Sequence, residues 1–165
     1  MIEAIGKTYP GRASVAPVLD VFITLLDLGA SGYKGLLKQR KDLFKYFKGR
    51  LKEVAAANGE RLLDTPSNTI SLGITLSTLA GEAAECGIDI KFLGSMLFSR
   101  CVSGTRVVVP GEPKSICGVD FVGYGSHLDA YPMPYMTAAA GIGMTQQEVD
   151  VFLDRLQKTI KDFRK

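Results

Sequence analysis

The residues of this chain best suited to chemistry are three arginines on glycine-rich turns. Arg12 follows a Pro-Gly turn in "YPGRAS", directly before a long apolar run, and Arg100 and Arg106 flank "CVSGT". A guanidinium donates two parallel hydrogen bonds in one plane, so it grips a phosphate or carboxylate more specifically than a point charge does. The same positions also suit capping or ion pairing on a surface turn, and residue type leaves both uses open. No nucleophile accompanies the arginines. There is no G-x-S-x-G, no phosphate-binding P-loop, and no G-x-G-x-x-G followed by an acid at the right distance. Cys101 lies at a helix end among apolar residues. His127 in "GSHLDAYP" reads as a loop histidine and Asp129 as a turn residue, so a thiol–imidazole pair is not expected. Arginines without a base or nucleophile point to anion recognition, with the chemistry supplied elsewhere.

Composition sets the frame. The chain has 165 residues, enough for one packed core, and a formal net charge of +3, which allows an anionic partner without demanding one. Three isolated cysteines and a single histidine form no metal-binding spacing and no disulfide framework, which is the usage of a reducing, cytoplasmic setting. No metal site, no membrane-spanning run and no signal peptide are expected.

The elements that must position the arginines follow from periodicity. "SVAPVLDVFITLLDLG" is apolar on nearly every face, has Pro17 in its first turn and stops at Gly29. Such a helix requires burial. A second helix, capped by Ser31 and running to about Ala57, carries Leu36, Leu37, Phe44, Phe47, Leu51 and Val54 on one face. Lys34, Lys38, Lys41, Lys45, Lys48 and Lys52 fall in one stripe opposite. The stripe fits a nucleic-acid backbone or a solvated face, and no interleaved aromatics offer stacking to bases. Beyond it, Arg61–Asp64 reads as a short strand, and "TISLGITLSTL" alternates as an antiparallel, half-buried strand with Ile70, Leu72, Ile74 and Leu76 on one face. Gly81–Gly87 reads as a loop and "KFLGSMLFSR" as a short helix. "TRVVVP" is a strand, "GEPKSICG" a hairpin-like connection and "VDFVGYGSH" a further strand, weakened by its glycines. "YPMPYMTAAAGIGM" reads as a proline-bounded loop entering a small-residue helix. Thr145 and Glu148 form a capping box for a last helix with Val149, Phe152, Leu153, Leu156, Ile160 and Phe163 on its apolar face. Lys158, Lys161, Arg164 and Lys165 stand at its negative end. The pattern predicts α+β, an antiparallel sheet covered by helices, with connecting helices at 1–58 and an α+β domain at 59–165.

At this point the residues carry a resemblance. "YPGRASVAPVLDVFITLLDLGASGYKGLLKQRKDLF", "ERLLDTPSNTISLGITLSTL", "LGSMLFSRCVSGTRVVVP" and "GSHLDAYPMPYMTAAAGIGMTQQEVDVFLDRL" together resemble the C-terminal part of the O-phosphoseryl-tRNA(Sec) selenium transferases. These are selenocysteine synthases whose eukaryotic members were described as soluble liver antigen. The likeness covers nearly the whole chain in order, and "YPGRAS" and "LGSMLFSR" are its most specific parts; Gly81–Lys91 and Gly111–Val119 match poorly. It implies the small domain of a fold-type-I pyridoxal-phosphate enzyme, assembled as a tetramer, that converts O-phosphoseryl-tRNA(Sec) to selenocysteinyl-tRNA(Sec) with selenophosphate. By the resemblance Arg12 binds the substrate phosphate and Arg100 reaches the acceptor end of the tRNA, with Arg106 a further candidate. The family's Schiff-base lysine lies upstream of the "YPGR" motif, so no catalytic residue is assigned here. The chain reads as a C-terminal piece that binds no cofactor by itself. Two rival readings stay open: a module that grips a tRNA end without chemistry, and a piece of another fold-type-I lyase or decarboxylase.

Overall fold

A computed structural model describes residues 7, 11, 14–109, 113–122 and 131–165. Arg12, His127 and Asp129 lie outside the described residues, as does most of Met1–Thr8. The chain divides into two compact units, Met1–Leu37 and Lys38–Lys165. The division falls inside the first helix, whose later turns carry core residues of the second unit.

Helix α1 spans Ala16–Ala57 and is broken at Gly29, whose φ of 60° and ψ of 176° only glycine adopts without strain. Both apolar helices of the sequence reading are thus present, meeting at the expected glycine. Ser14 stands just before the helix, its hydroxyl accepting from Ala16 N–H at 3.3 Å. In the first unit Val18, Phe22 and Leu26 are 65%, 57% and 66% exposed, so the expected burial of this segment is not provided by the described residues. By length and composition α1 would also be able to cross a membrane, contrary to the expectation that no segment is long and apolar enough to do so. That measure alone does not place it in one, since core helices pass the same test.

In the second unit the later turns of α1 bury Leu43, Phe47, Leu51, Val54 and Ala55. They share a core with β1 (Ser71–Thr75), α2 (Ser77–Glu85), α3 (Phe92–Ser99), β5 (Tyr135–Ala139) and α4 (Gln146–Phe163). With β2 (Arg106–Val108), the sheet runs β1-β5-β2 and is antiparallel throughout. Leu72 opposes Ala138, and Ile74 opposes Met136, which in turn opposes Val107. These residues form the face turned to the core, as the alternation of β1 requires. The class is α+β, with an antiparallel sheet and helices, as the sequence pattern implies. Ile70 stays exposed, outside the row it was expected to join. β1 is also more than half-buried, since Gly73 and Thr75 on its other face are buried as well.

Three expectations are corrected. Arg61–Asp64 is not a full strand but one bridge, Leu62 to Ile74, supported by Leu63 N–H to Gly73 O and Thr75 N–H to Arg61 O. Gly81–Gly87 is mostly helix, because α2 starts directly after β1. Its N-terminal N–H groups are satisfied from a distance, as the buried Glu60 carboxylate accepts from Ser77 N–H at 3.1 Å, Leu79 N–H at 3.0 Å and Thr75 Oγ1–H at 2.6 Å. No local cap marks that start, so periodicity alone misses it. "YMTAAA" is the central strand β5 rather than part of a loop and helix. Its alanines favour helix by propensity, yet here Ala138 and Ala140 let neighbours pack closely, and tertiary context overrides propensity. "KSICGVDF" forms a separate hairpin, β3 (Lys114–Ile116) with β4 (Val119–Phe121), turned through Cys117 and Gly118 at φ 51° and 76°.

The α4 capping box is present in both directions, with Glu148 N–H to Thr145 Oγ1 at 3.2 Å and Thr145 N–H to Glu148 Oε2 at 2.7 Å. Phe152 of α4 meets Phe47 of α1 edge to face at 5.6 Å.

Candidate nucleic-acid interface

Helix α3 ends in a way that fixes Arg100. Arg100 is the C-cap, and the next residue, Cys101, turns left-handed at φ 58°. Val102 N–H then donates to Leu97 O and Cys101 N–H to Phe98 O, each at 3.0 Å. This pair of bonds is a Schellman motif. Helices α1 and α2 close with the same bonds at Gly59 and Gly87, so Cys101 is the non-glycine member of the set. A side chain there costs about 1–2 kcal/mol of backbone strain.

Held at that point, the Arg100 guanidinium donates to Asp162 Oδ2 of α4 at 3.0 Å and back to Met96 O at 3.2 Å. Asp162 also receives Lys165 Nζ at 2.7 Å. The bond from Lys165, then that from Arg100, holds the Asp162 carboxyl below its ordinary pKa. The clamp therefore keeps its charge through neutral pH. Arg155, further back on α4, donates to Cys101 O at 2.9 Å. Together Arg100, Cys101, Arg155, Lys158, Lys161, Asp162 and Lys165 line an open cleft of about 580 Å³. Five cations face one carboxylate there. Lys158 is also paired with Asp154 at 2.7 Å. Lys161 is exposed and makes no ion pair among the described residues. Part of this charge complements the negative end of α4, but the excess faces solvent. A shallow cationic trough with an oriented guanidinium and no aromatic lining suits phosphodiester oxygens.

The sequence candidates do not all converge. Arg100 belongs to this cleft. Arg106 opens β2, exposed, opposite Thr137, and lines a different hollow beside Lys91 and Phe98. The lysines from Lys34 to Lys52 are all exposed along α1. Cys101 is free and exposed, as are Cys86 and Cys117. Sequence reasoning missed Arg155. It could have been found by extending the α4 cations one turn back, since 155, 158, 161 and 165 follow helical spacing. A pyridoxal group does not fit the residues in hand. A lysine that holds it works in an enclosed site, whereas every lysine of this chain is exposed.

The comparisons with known proteins concern the chain as a whole. The family model described as O-phosphoseryl-tRNA(Sec) selenium transferase matches residues 1–161. A relative of that name from Dictyostelium discoideum is 41% identical over 95% of this chain. One from Caenorhabditis briggsae is 35% identical over 98%. The chain spans 35% and 33% of their lengths. The crystal structure of an archaeal O-phosphoseryl-tRNA(Sec) selenium transferase superposes with a TM-score of 0.69, covering 95% of this chain and 32% of that one. At 23% identity it supports the fold alone. With the family match running from the first residue to the last helix, the chain belongs to the O-phosphoseryl-tRNA(Sec) selenium transferase family.

Proposed function

We propose that this chain is the tRNA-end-binding part of a pyridoxal-phosphate-dependent, cytoplasmic enzyme that converts O-phosphoseryl-tRNA(Sec) to selenocysteinyl-tRNA(Sec) with selenophosphate. The observation that carries the reading is the cleft in which Arg100, pinned by Asp162, stands among Arg155, Lys158, Lys161 and Lys165. The pinned guanidinium addresses the acceptor end, and the lysines neutralise the adjoining phosphates. The division of labour assigns Arg12 to the phosphate of the phosphoseryl group, as the resemblance of "YPGR" implies, with Arg106 a secondary contact. The 165 residues alone are read as binding without turnover, because no exposed lysine suits the cofactor. The homotetramer of the family would bury the bare face of α1.

The test compares the cleft with the lysine stripe. In filter binding at several salt concentrations, Arg100→Ala and Lys161→Ala should each weaken tRNA(Sec) binding about 5- to 30-fold. Each should also lower the slope of log K against log salt by about 0.7–0.9, the loss of one phosphate contact. Lys41→Ala should change neither. If the stripe substitution weakens binding and the cleft substitutions do not, the tRNA reading of the cleft is wrong. In an enzyme competent for turnover, Arg12→Ala should lower the single-turnover rate by roughly one to two orders of magnitude with tRNA affinity kept, and Arg12→Lys should restore it in part.

A further inference from the structure

The sheet's second face holds a feature that the tRNA cleft does not use. Opposite the core face, Arg61, Thr75, Tyr135 and Val108 make one row across the strands; Leu63, Gly73, Thr137 and Arg106 make the next. Tyr135 is 3% exposed, and its hydroxyl has no hydrogen-bond partner. The Tyr131 ring lies 4.8 Å from the Tyr135 ring, close enough to act on it electrostatically, but the two hydroxyls do not meet in hydrogen-bond geometry. Burial first, then Tyr131, pushes the Tyr135 pKa up to about 12, so the phenol remains a proton donor at neutral pH. A buried donor left without a partner is costly, and a bound acceptor would recover that cost.

Tyr135 is one of the residues lining a cleft of about 580 Å³, and its hydroxyl is itself buried there. Its two charged residues, Arg61 and Asp64, also line it, and no ion pair joins them within 4.0 Å. The Arg61 side chain donates only to Met133 Sδ, at 3.6 Å, and the Asp64 carboxylate makes no hydrogen bond among the described residues. Leu63, Pro132, Met133 and the Tyr131 ring add an apolar wall. One unpaired cation, one unpaired anion, one orphan donor and an apolar wall in the same cleft call for a ligand carrying the complementary set.

We propose that this cleft binds a small zwitterion of the amino-acid type, its carboxylate on Arg61 and the Tyr135 hydroxyl, its ammonium on Asp64, and its side chain against Tyr131 and Met133. The proposal is independent of the tRNA reading, since it shares no residue with that cleft.

The probe is L-phenylalanine, titrated into the 165-residue chain while the Gly73 and Thr137 amide resonances are followed. 3-Phenylpropionate, which lacks the ammonium, and phenethylamine, which lacks the carboxylate, serve as comparisons. Saturable millimolar binding of phenylalanine, with both comparison ligands at least 5-fold weaker, is expected. Tyr135→Phe should weaken phenylalanine about 5- to 10-fold without loss of folding, since it removes only an unpaired group. Asp64→Asn should abolish the advantage of phenylalanine over phenylpropionate and leave phenylpropionate binding no weaker. The proposal is overturned by non-saturating shifts, by equal binding of all three compounds, or by a Tyr135→Phe protein that binds phenylalanine as the parent does.

Discussion

Helix α1 carries two stretches rich in large apolar residues with opposite fates. Val18, Phe22 and Leu26 stand in the open, while Phe47 and Leu51, on the other side of Gly29, are 2% and 1% exposed. The difference is patterning. The second stretch confines its apolar residues to one stripe and gives the rest to lysine, so a single sheet-and-helix layer suffices to cover it. The first is apolar on nearly all sides, and one neighbouring layer would cover only part of it. Hydrophobic content says that a surface needs covering; the angular distribution says how many partners that takes.

The comparison breaks most sharply at the two phenylalanines. Phe47→Ala should destabilise the chain by about 3–5 kcal/mol in denaturant unfolding, since it empties the site against Phe152. Phe22→Asp should leave that midpoint nearly unchanged and instead suppress self-association in sedimentation at micromolar concentration. A wild-type chain that sediments as a clean monomer would show that the bare face needs no partner. Next in size is Glu60, just beyond the end of α1. Glu60→Ala strips Ser77 and Leu79 N–H of their acceptor and should cost about 2–3 kcal/mol, with exchange protection lost first in α2.

Smaller effects sharpen the picture at α4, which supplies Phe152. The Thr145 backbone N–H, then its hydroxyl, hold the Glu148 carboxyl below its ordinary value. A depressed folded pKa contributes stability that is present above the unfolded value near 4.5 and is lost as pH falls through the folded value. Acid titration followed by amide exchange should therefore fray the first turn of α4 as pH falls below the ordinary value of 4.5 and through the lower folded one, and Glu148→Gln should remove that pH dependence. The smallest effect expected is from Cys101→Gly, a gain of about 0.5–1 kcal/mol as the left-handed strain at the end of α3 is relieved, partly offset by the freer unfolded chain. A loss in melting temperature would mean that the Cys101 side chain contributes packing that outweighs its strain.

Legibility followed locality. The last helix was readable to its cap because Thr145, Glu148 and the apolar spacing all lie within one segment. The break at Gly29 and the inward residues of β1 were readable for the same reason. What escaped depends on residues distant in sequence. The cap of α2 comes from Glu60, and "YMTAAA" becomes a strand only because β1 and β2 flank it. The Arg100–Asp162 clamp joins two helices whose separate patterns give no hint of the contact. Tyr135 is ordinary as a strand residue; only the lack of a partner for its hydroxyl makes it informative.

The place of β5 has a consequence for synthesis on the ribosome. It is the middle strand of the sheet yet the last of its strands to be made, and β1 and β2 pair with it rather than with each other. At translation rates of about 5–20 residues per second, roughly 3–13 s separate the emergence of β1 from that of its partner. During that interval β1 has an unpaired edge, and the apolar turns of α1 lack the sheet they pack with. A nascent chain paused before Ala139 would therefore be a client for chaperones until β5, and then the core residues of α4, have been made.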